Sequence, residues 1–402
     1  MRRLVLLLPV VAAMMVTVPA SAAPTPRDVG FSRWEGGSAF RTGTFAGLRL
    51  KHGALVLKSA TKSASKTRAY HGHKYSMGTW TSPVTSPGFG FTQLVASWSA
   101  VTPKNSWVEV RVKAGGHWMV LGRWASSDRH VRRTSVPGQS DAAGRVDVDT
   151  WKASTSASSY QLQVRLMRRA GAHSASPSVS FVGAMTSRVA GVAPVSAPGV
   201  ARGIVLDVPA YSQMVHRGEF AQYGGGGEAW CSPTSTAMVL GYYGRLPAPS
   251  SYAWVGQRTD PWVDEVARRT YDAAYRGTGN WPFNTAYAAS RGLSSFVTRL
   301  RSLAEAETFI ASGVPVIASI SFPSGGLTGA PISSTAGHLL VIVGFTSSGD
   351  VVVNDPAAAT ASGVRRTYDR AQFERAWLGG SGGTAYVIHD LTHPLPASAG
   401  NW

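Results

Sequence analysis

Cysteine is almost absent from this sequence, since Cys231 is the single cysteine among 402 residues. An intramolecular disulfide is therefore excluded, because it needs two thiols. A lone thiol is either an inert buried side chain or a nucleophile, and the count alone does not choose between them. The neighbours of Cys231 in the sequence have to decide.

Acidic residues are also scarce, and none lies between Glu35 and Glu109. Lys and Arg total 39 against 21 Asp and Glu, which gives a formal net charge of +18. A basic surface of this kind favours anionic cell-surface polymers or glycans, or acidic substrates, and solubility alone is the other explanation. The sequence has no nucleic-acid-binding motif, so we expect no nucleic-acid partner.

Long apolar runs are missing except at the N-terminus. Leu4–Val18 follows a basic start and precedes the small residues Ala20-Ser21-Ala22. This pattern predicts a secretory signal peptide over residues 1–22, cleaved near Ala22, and hence a secreted, extracellular protein. The run is short for a span of about 20 residues, so no membrane span is expected after its removal.

Alternating polarity predicts an all-β sandwich, jelly-roll-like, over residues 28–188. The predicted strands lie at 94–100, 108–113, 118–124, 160–166 and 178–184. The region is rich in tryptophan. We expect core positions, with glycan stacking as the alternative, for six of its tryptophans: Trp80, Trp98, Trp107, Trp118, Trp124 and Trp151.

Residues 189–203 are small, contain prolines and lack periodicity, so they are interpreted as a linker. The first half is accordingly expected to be a separable module outside any catalytic cleft. Residues 204–395 predict an α+β domain. Its helices are predicted at 231–243, 264–275, 303–311 and 371–378, and its strands at 314–321, 338–345, 351–355 and 385–389.

Two short motifs give only weak signals for ligands. The glycines at 224–227 lack the Lys-Ser/Thr of a phosphate-binding loop. His71-Gly72-His73 has no nearby thiolate or carboxylate to complete a metal site and is interpreted as a solvated loop. We therefore expect no cofactor and no metal.

Thiol catalysis needs a thiolate, an imidazole, a group that orients the imidazole and donors for an oxyanion. Pro233 and the apolar residues 238–240 predict a helix that begins at Cys231. Unpaired amides and the helix dipole at that end favour a thiolate. His338 opens the apolar strand predicted at 338–345 and is the expected base, with a structural histidine as the alternative.

Asp355 ends the next predicted strand, and a hairpin around residues 347–350 brings it back beside His338. A carboxylate at that place can orient the imidazole. The adjacent Asn354 is the alternative orienter, and only one of the two can face the ring because strand neighbours point to opposite faces.

Gln213 precedes the cysteine in the segment VPAYSQ and is the candidate oxyanion donor, together with the backbone N–H of Cys231. Taken alone, a single glutamine upstream of a cysteine is a weak signal.

Four segments of the second half resemble the C39-like family of papain-fold cysteine peptidases: VPAYSQ, WCSPTSTAMVLGYYG, GHLLVIVGF and VVVNDPA. The resemblance implies a papain-like fold in which Gln213 is the oxyanion donor, Cys231 the nucleophile, His338 the base and Asp355 the orienting group. Ser232 departs from the glycine usual after the cysteine, and we expect only a local adjustment. The double-glycine leaders trimmed by transporter-fused members are not implied, because this chain has no transporter segment.

The resulting hypothesis is a secreted cysteine peptidase that cleaves peptide bonds through a thioester. One alternative is a cell-wall amidase or endopeptidase that uses the same residues on peptidoglycan peptides. The other is a non-catalytic surface-binding protein with a peptidase-like fold.

Overall fold

The computed structural model describes residues 27–58, 66–128, 131–172, 175–189 and 193–402. The segment predicted as a signal peptide, residues 1–22, lies outside the described residues. Among the residues that are described, no helix combines the length and the apolar character that a membrane crossing would require.

The described residues of the first half form antiparallel strands and one short helix, α1 (Gly36–Arg41). The strands are β1 (Asp28–Glu35), β2 (Thr44–Ala46), β3 (Leu48–Lys51), β4 (Ala54–Leu57), β5 (Lys66–Tyr70), β6 (His73–Thr81), β7 (Phe91–Val101), β8 (Ser106–Lys113), β9 (Met119–Trp124), β10 (Gly144–Asp147), β11 (Thr150–Ala157), β12 (Gln161–Arg169) and β13 (Ser178–Arg188).

These strands form two sheets. One sheet has the order β10-β11-β7-β13-β4-β3, with β1 also paired to β13. The other has the order β2-β6-β12-β8-β9, with β5 beside β6. The strand-rich, antiparallel character predicted for this half is confirmed, and the jelly-roll-like connectivity stays a prediction.

The alternation read from the sequence places one apolar face of each sheet in a common core. Val164 of β12 lies opposite Val110 of β8 and Trp80 of β6, and all three side chains are buried. Core positions are confirmed for five of the six tryptophans, whereas Trp118 is only partly buried and lies under the guanidinium of Arg111.

The second half begins with helices and ends in a sheet. The helices are α2 (Cys231–Tyr242), α3 (Pro249–Tyr252), α4 (Pro261–Thr270), α5 (Trp281–Ser290), α6 (Leu303–Ala311) and α7 (Arg370–Glu374). The strands are β14 (Ser294–Arg299), β15 (Val316–Phe322), β16 (Thr335–Phe345), β17 (Val351–Asn354), β18 (Arg365–Tyr368) and β19 (Thr384–His389). They pair antiparallel in the order β14-β19-β15-β16-β17-β18.

Two helical predictions differ from the structure at their ends. The helix predicted at 264–275 begins at Pro261, whose fixed φ suits a first turn, and ends before Tyr271, whose ψ of 128° is extended. The helix predicted at 371–378 is a short α-helix followed by a π-helical turn at Arg375–Gly379.

The segment predicted as a linker is held against the second half. Residues 193–203 contain no helix or strand, but the Glu307 carboxylate accepts hydrogen bonds from the backbone N–H of Gly199 at 2.8 Å and of Ala201 at 3.0 Å. The Arg370 guanidinium donates to the Ser196 carbonyl at 2.6 Å. The described part of this segment is therefore fixed by specific contacts.

The two halves also share one continuous hydrophobic cluster. Phe283 of α5 packs against Trp98 and Trp124 of the first half, with ring centroids 6.2 and 5.6 Å apart. Arg299 of β14 donates to Ser187 Oγ and Gln93 Oε1, each at 2.6 Å. This shared core argues against a separable first half, because removal of that half would expose apolar side chains of the second half.

A chain that starts at Gly203 should consequently be much less stable than the full chain. Without the first half, the Phe283 side chain would be exposed to water. Loss of a buried aromatic side chain from a core lowers the free energy of unfolding by about 3 kcal/mol or more. For a domain of this size we expect a melting temperature lower by about 6 °C or more. Thermal melting of the two chains side by side tests this, and equal melting temperatures would show that the shared core contributes nothing.

Candidate active site

Cys231 is the first residue of α2, at the place that the sequence predicts, and its side chain is partly buried. Pro233 lies in the first turn, where a missing N–H costs nothing because those amides have no helical acceptor. Ser235 Oγ donates to the Leu339 carbonyl at 3.1 Å. This hydrogen bond ties the cysteine helix to the strand that carries His338.

His338 lies on β16, which begins three residues earlier than predicted, and its side chain is buried. Its Nε2 lies 2.8 Å from Asp355 Oδ1. The Cys231 thiol lines the same cleft as His338, and the imidazole acts on the pKa of the thiol through a hydrogen bond and its charge. Because Nε2 is engaged by the carboxylate, Nδ1 is the nitrogen that remains available to the sulfur.

Asp355 directly follows β17 and is brought to His338 by strand pairing. Val341 lies opposite Asn354 in the antiparallel β16–β17 pair, so the end of β17 returns to the start of β16. Asp355 Oδ1 also accepts from the backbone N–H of Ala357 at 3.0 Å, and Oδ2 accepts from the Tyr368 hydroxyl at 2.7 Å. Both carboxylate oxygens therefore have fixed partners.

Asn354, the alternative orienting residue, points away from the imidazole. Its Nδ2 donates to the carbonyl oxygens of Val208 at 3.0 Å and Pro209 at 3.1 Å, and its Oδ1 accepts from Arg365 Nε at 2.6 Å. The side chain is completely buried. Asn354 fixes the backbone that leads to Gln213 and does not contact His338.

Gln213 opens a 3₁₀ turn, Gln213–His216, beside the cysteine. Its backbone N–H donates to the Pro356 carbonyl at 2.9 Å, next to Asp355. Its Nε2 donates to the Glu228 carbonyl at 2.8 Å, and the other N–H of this amide has no partner among the described residues. The turn thus holds an amide donor at the same cleft as Cys231 and His338.

The glycines at 224–227 allow the backbone conformation beside Gln213. Gly224, Gly225 and Gly226 have φ values of 89°, 103° and 103°, which other residues rarely adopt. A Cβ at Gly227 would overlap the carbonyl oxygen of Gln213. The glycine run lets the chain turn closely past Gln213 into the cysteine helix.

Electrostatics in the site favour a thiolate and an imidazolium. Burial raises the pKa of the Cys231 thiol, but the hydrogen bond and positive charge of His338 outweigh it, so the pKa lies below its ordinary value. Burial lowers the pKa of His338, and the charge of Asp355 with the hydrogen bonds to Asp355 and Cys231 raises it to about 10. The two groups titrate as one coupled pair.

The Asp355 carboxylate also stays ionised because its charged neighbour outweighs the effect of burial. Burial raises the pKa of Asp355, whereas the charge of His338 and the hydrogen bonds from His338, Tyr368 and Ala357 bring it below its ordinary value. An ionised Asp355 is what an imidazolium at His338 requires as its neighbour.

Gln213, Cys231 and His338 line a cleft of about 1140 Å³ to which both halves of the chain contribute. The first half contributes the turn between β10 and β11, in which Val148 has a φ of 56°. The buried Asp149 holds this turn against the second half by accepting a hydrogen bond from the Trp281 backbone N–H at 2.8 Å. The expectation that the first half lies outside the cleft is therefore wrong.

Sequence reasoning also missed two arginines that line the cleft, Arg27 and Arg299. Neither forms a salt bridge with a carboxylate among the described residues. Tyr368, which holds Asp355, was missed as well, because its partner lies across a strand pair that the sequence does not identify. None of these three residues carries a local signal of its role.

Comparison with known families extends to both halves of the chain. Residues 30–187 match the Peptidase C39 N-terminal domain, although this half resembled no family by its motifs. Residues 205–384 match the Peptidase_C39 like family, which confirms the resemblance of the second half. No curated protein matches the chain. The chain thus carries two such domains in succession, and its residues 205–384 belong to the Peptidase_C39 like family.

Proposed function

We propose that this chain is a cysteine-type amide hydrolase with Cys231 as nucleophile, His338 as acid and base, and Asp355 as the group that orients His338. The observation that carries the proposal is the 2.8 Å contact of His338 with Asp355 in a cleft that also holds Cys231, at the N-terminus of α2. Membership of a peptidase-like family supports it. A papain-like arrangement of helices and sheet is part of the proposal.

The first half-reaction forms a thioester. The Cys231 thiolate attacks the substrate carbonyl carbon and forms a C–S bond, and the carbonyl oxygen becomes an oxyanion. The remaining N–H of Gln213 Nε2 and the backbone N–H of Cys231 donate to that oxyanion. The His338 imidazolium gives its proton to the amide nitrogen as the C–N bond breaks, and an amine leaves.

The second half-reaction restores the thiol. Neutral His338 takes a proton from water, whose oxygen attacks the thioester carbonyl. The C–S bond breaks, a carboxylic acid leaves, and the imidazolium and thiolate are formed again. Asp355 stabilises the imidazolium in both half-reactions and keeps Nδ1 directed at the reacting atoms.

Cell-wall peptides are the second candidate substrate, and the arginines of the cleft favour them. The Arg299 guanidinium is buried and hydrogen bonds only uncharged side chains, those of Thr384, Ser187 and Gln93. Burial lowers the pKa of Arg299 to about 10, and the neighbouring charge of Arg27 acts in the same direction. Buried cations of this kind are normally paired with an anion.

Arg27 forms no salt bridge with a carboxylate of the described residues either, and burial lowers its pKa more than the charges of Glu374 and Glu305 raise it. Its Nε and one Nη are buried without a hydrogen-bond partner. A carboxylate on the substrate fits both arginines, because guanidinium groups bind carboxylates through paired N–H donors. Peptides rich in carboxylates, as in bacterial cell walls, meet this requirement better than neutral peptides.

We also propose that the protein acts outside the cell, as the signal-peptide pattern over residues 1–22 and the net charge of +18 suggest. A basic exterior would hold the enzyme near anionic cell-surface polymers or glycans. The non-catalytic alternative is less well supported, since it gives no reason for a thiol, an imidazole and a carboxylate to be aligned in one cleft.

The test is digestion of a peptide library and of purified cell walls by the full chain, with the Cys231→Ala variant as the control. We expect new amino groups from the wild-type protein and none from the variant. Mass spectrometry of the released fragments identifies the bond that is cleaved. Absence of cleavage in both materials, or equal cleavage by the variant, would contradict the proposal.

The arginine pair gives a separate prediction about substrate choice. Arg27→Gln should lower kcat/KM about tenfold for a peptide with a carboxylate and leave its amide counterpart unchanged, because tenfold corresponds to about 1.4 kcal/mol, a modest charge-assisted contact. Arg41→Gln, at an exposed arginine, is the matched control. Equal losses on both peptides would show that Arg27 is structural.

A further inference from the structure

A second cluster of titratable side chains lies behind the Gln213 turn and takes no part in the proposed chemistry. His216 ends the turn, Glu219 follows it, and Asp264 comes from α4. His216 Nδ1 lies 3.3 Å from Glu219 Oε2 and 3.2 Å from Asp264 Oδ2. One atom from each residue lies within 4.8 Å of the other two.

The polar atoms of this cluster are incompletely satisfied. His216 and Asp264 are both completely buried. Asp264 Oδ1 and His216 Nε2 have no hydrogen-bond partner among the described residues, and Asp264 Oδ2 has only the His216 Nδ1 contact at 3.2 Å. A buried carboxylate with so few donors is unfavourable unless a cation compensates its charge.

We propose that His216, Glu219 and Asp264 bind a divalent metal ion of the zinc class. One imidazole nitrogen and two carboxylate oxygens form a ligand set that such ions accept, with a fourth position left for water. Bonds of about 2.0–2.1 Å at tetrahedral angles place ligand atoms about 3.3 Å apart. The separations of 3.2 and 3.3 Å around His216 Nδ1 match that value.

The same residues do not suit calcium or magnesium. Calcium takes six to eight oxygen ligands, and magnesium keeps several waters around it. A site that is buried and offers an imidazole nitrogen meets neither requirement. The ligand set therefore favours zinc over the alkaline-earth ions.

The proposed metal would join two elements of the active site. It connects the Gln213–His216 turn to α4, and α4 packs against α2, the helix of Cys231. His216 also packs on Trp230, the residue before Cys231, with ring centroids 5.9 Å apart. The ion would thus hold the Gln213 amide in place without contacting the substrate.

Metal content of the purified full chain tests the proposal independently of hydrolysis. We expect about one zinc ion per chain by elemental mass spectrometry, lost with a strong chelator and restored by zinc chloride alone. Removal should lower the melting temperature by about 5 °C, as expected when a ligand binds only the folded state. Calcium chloride should not restore it.

Variants assign the site. Asp264→Asn keeps the shape of the side chain and should abolish stoichiometric zinc binding, as should His216→Ala. His393→Ala is the matched control, since His393 pairs with Asp390 at 2.8 Å in a more exposed place. If the variants do not fold, titration of chelator-treated wild-type protein with zinc decides.

Two results would overturn the proposal. Wild-type protein that binds no zinc in that titration would show that the cluster is a metal-free ion pair of His216 with its carboxylates. Zinc binding that Asp264→Asn leaves unchanged would place the ion elsewhere on the chain.

Discussion

Replacing Cys231 by alanine should lower kcat for amide hydrolysis by at least about 10⁴-fold. The thiolate forms the covalent bond to the substrate in the proposed mechanism, and loss of the nucleophile in comparable triads has effects of about 10⁶. The residual activity of the variant would come from substrate binding and from the oxyanion donors. The measurement is turnover of one cleaved peptide by both proteins at the same concentration.

The controls for this experiment are a folding check and a conservative variant. Alanine removes only one sulfur atom from a partly buried position, so the melting temperature should change by no more than about 2 °C. Cys231→Ser keeps the shape, and its weaker nucleophile should also be inactive at neutral pH. Retention of activity by both variants would show that the thiol is not the nucleophile.

Replacing Asp355 by alanine should lower kcat by about 10²-fold or more. Asp355 holds the His338 ring through the 2.8 Å contact and stabilises its charged form. Loss of the orienting carboxylate in a serine triad lowers kcat by about 10⁴-fold. The loss should be smaller here, because a thiolate depends less on its base than a serine hydroxyl does. Turnover of the same peptide is the measurement.

Asn354→Ala is the matched control, because Asn354 is the adjacent residue and equally buried. It should leave kcat nearly unchanged and instead lower the free energy of unfolding by about 1–3 kcal/mol, since three hydrogen bonds are lost. Thermal melting separates the two effects. An inactive Asn354→Ala with an active Asp355→Ala would reverse the assignment.

A pH profile distinguishes orientation by Asp355 from a structural role. The charge of Asp355 raises the pKa of His338, which reaches about 10 in the structure. The Cys231 thiolate–His338 imidazolium pair therefore persists with rising pH until His338 loses its proton. In Asp355→Asn that charge is gone, so the alkaline limb of kcat/KM should move to lower pH. An unmoved limb would mean that Asp355 only supports the fold.

Much of the candidate site could be predicted from local sequence. Pro233 and the apolar residues after it mark the start of the cysteine helix, and the helix begins at Cys231 as expected. The hairpin argument that joins His338 to Asp355 needs only strand pairing, and the observed β16–β17 register has that form. These features depend on residues close together in the sequence.

The choice between Asn354 and Asp355 could not be made from strand alternation. β17 ends at Asn354, so Asp355 already lies in the turn, where alternation no longer applies. The two side chains differ in their hydrogen-bond partners. The Asn354 amide donates to the backbone carbonyls of residues 208–209, whereas the Asp355 carboxylate contacts His338 and Tyr368. The two carbonyls come from a distant part of the chain, and Tyr368 comes from a strand pair that the sequence does not identify.

The packing of the two halves was also beyond the sequence. α5 has buried residues on all sides, including the polar Asn284, so no amphipathic period predicts the helix. Asn280 caps it by accepting a hydrogen bond from the Phe283 N–H. Phe283 then meets Trp98 and Trp124. Which apolar surfaces meet depends on their shapes, and shape is not visible in a periodic pattern.

The central claim is that His338 activates Cys231, and the alkylation rate of the thiol as a function of pH tests it most directly. Cys231 is the single cysteine in the sequence, so iodoacetamide labelling of the intact protein reports on this residue alone. We predict an apparent thiol pKa below the free value of about 8.5 in the wild-type chain, and a higher one in His338→Ala. Slow labelling at every pH below unfolding, or identical curves for the two proteins, would contradict the account.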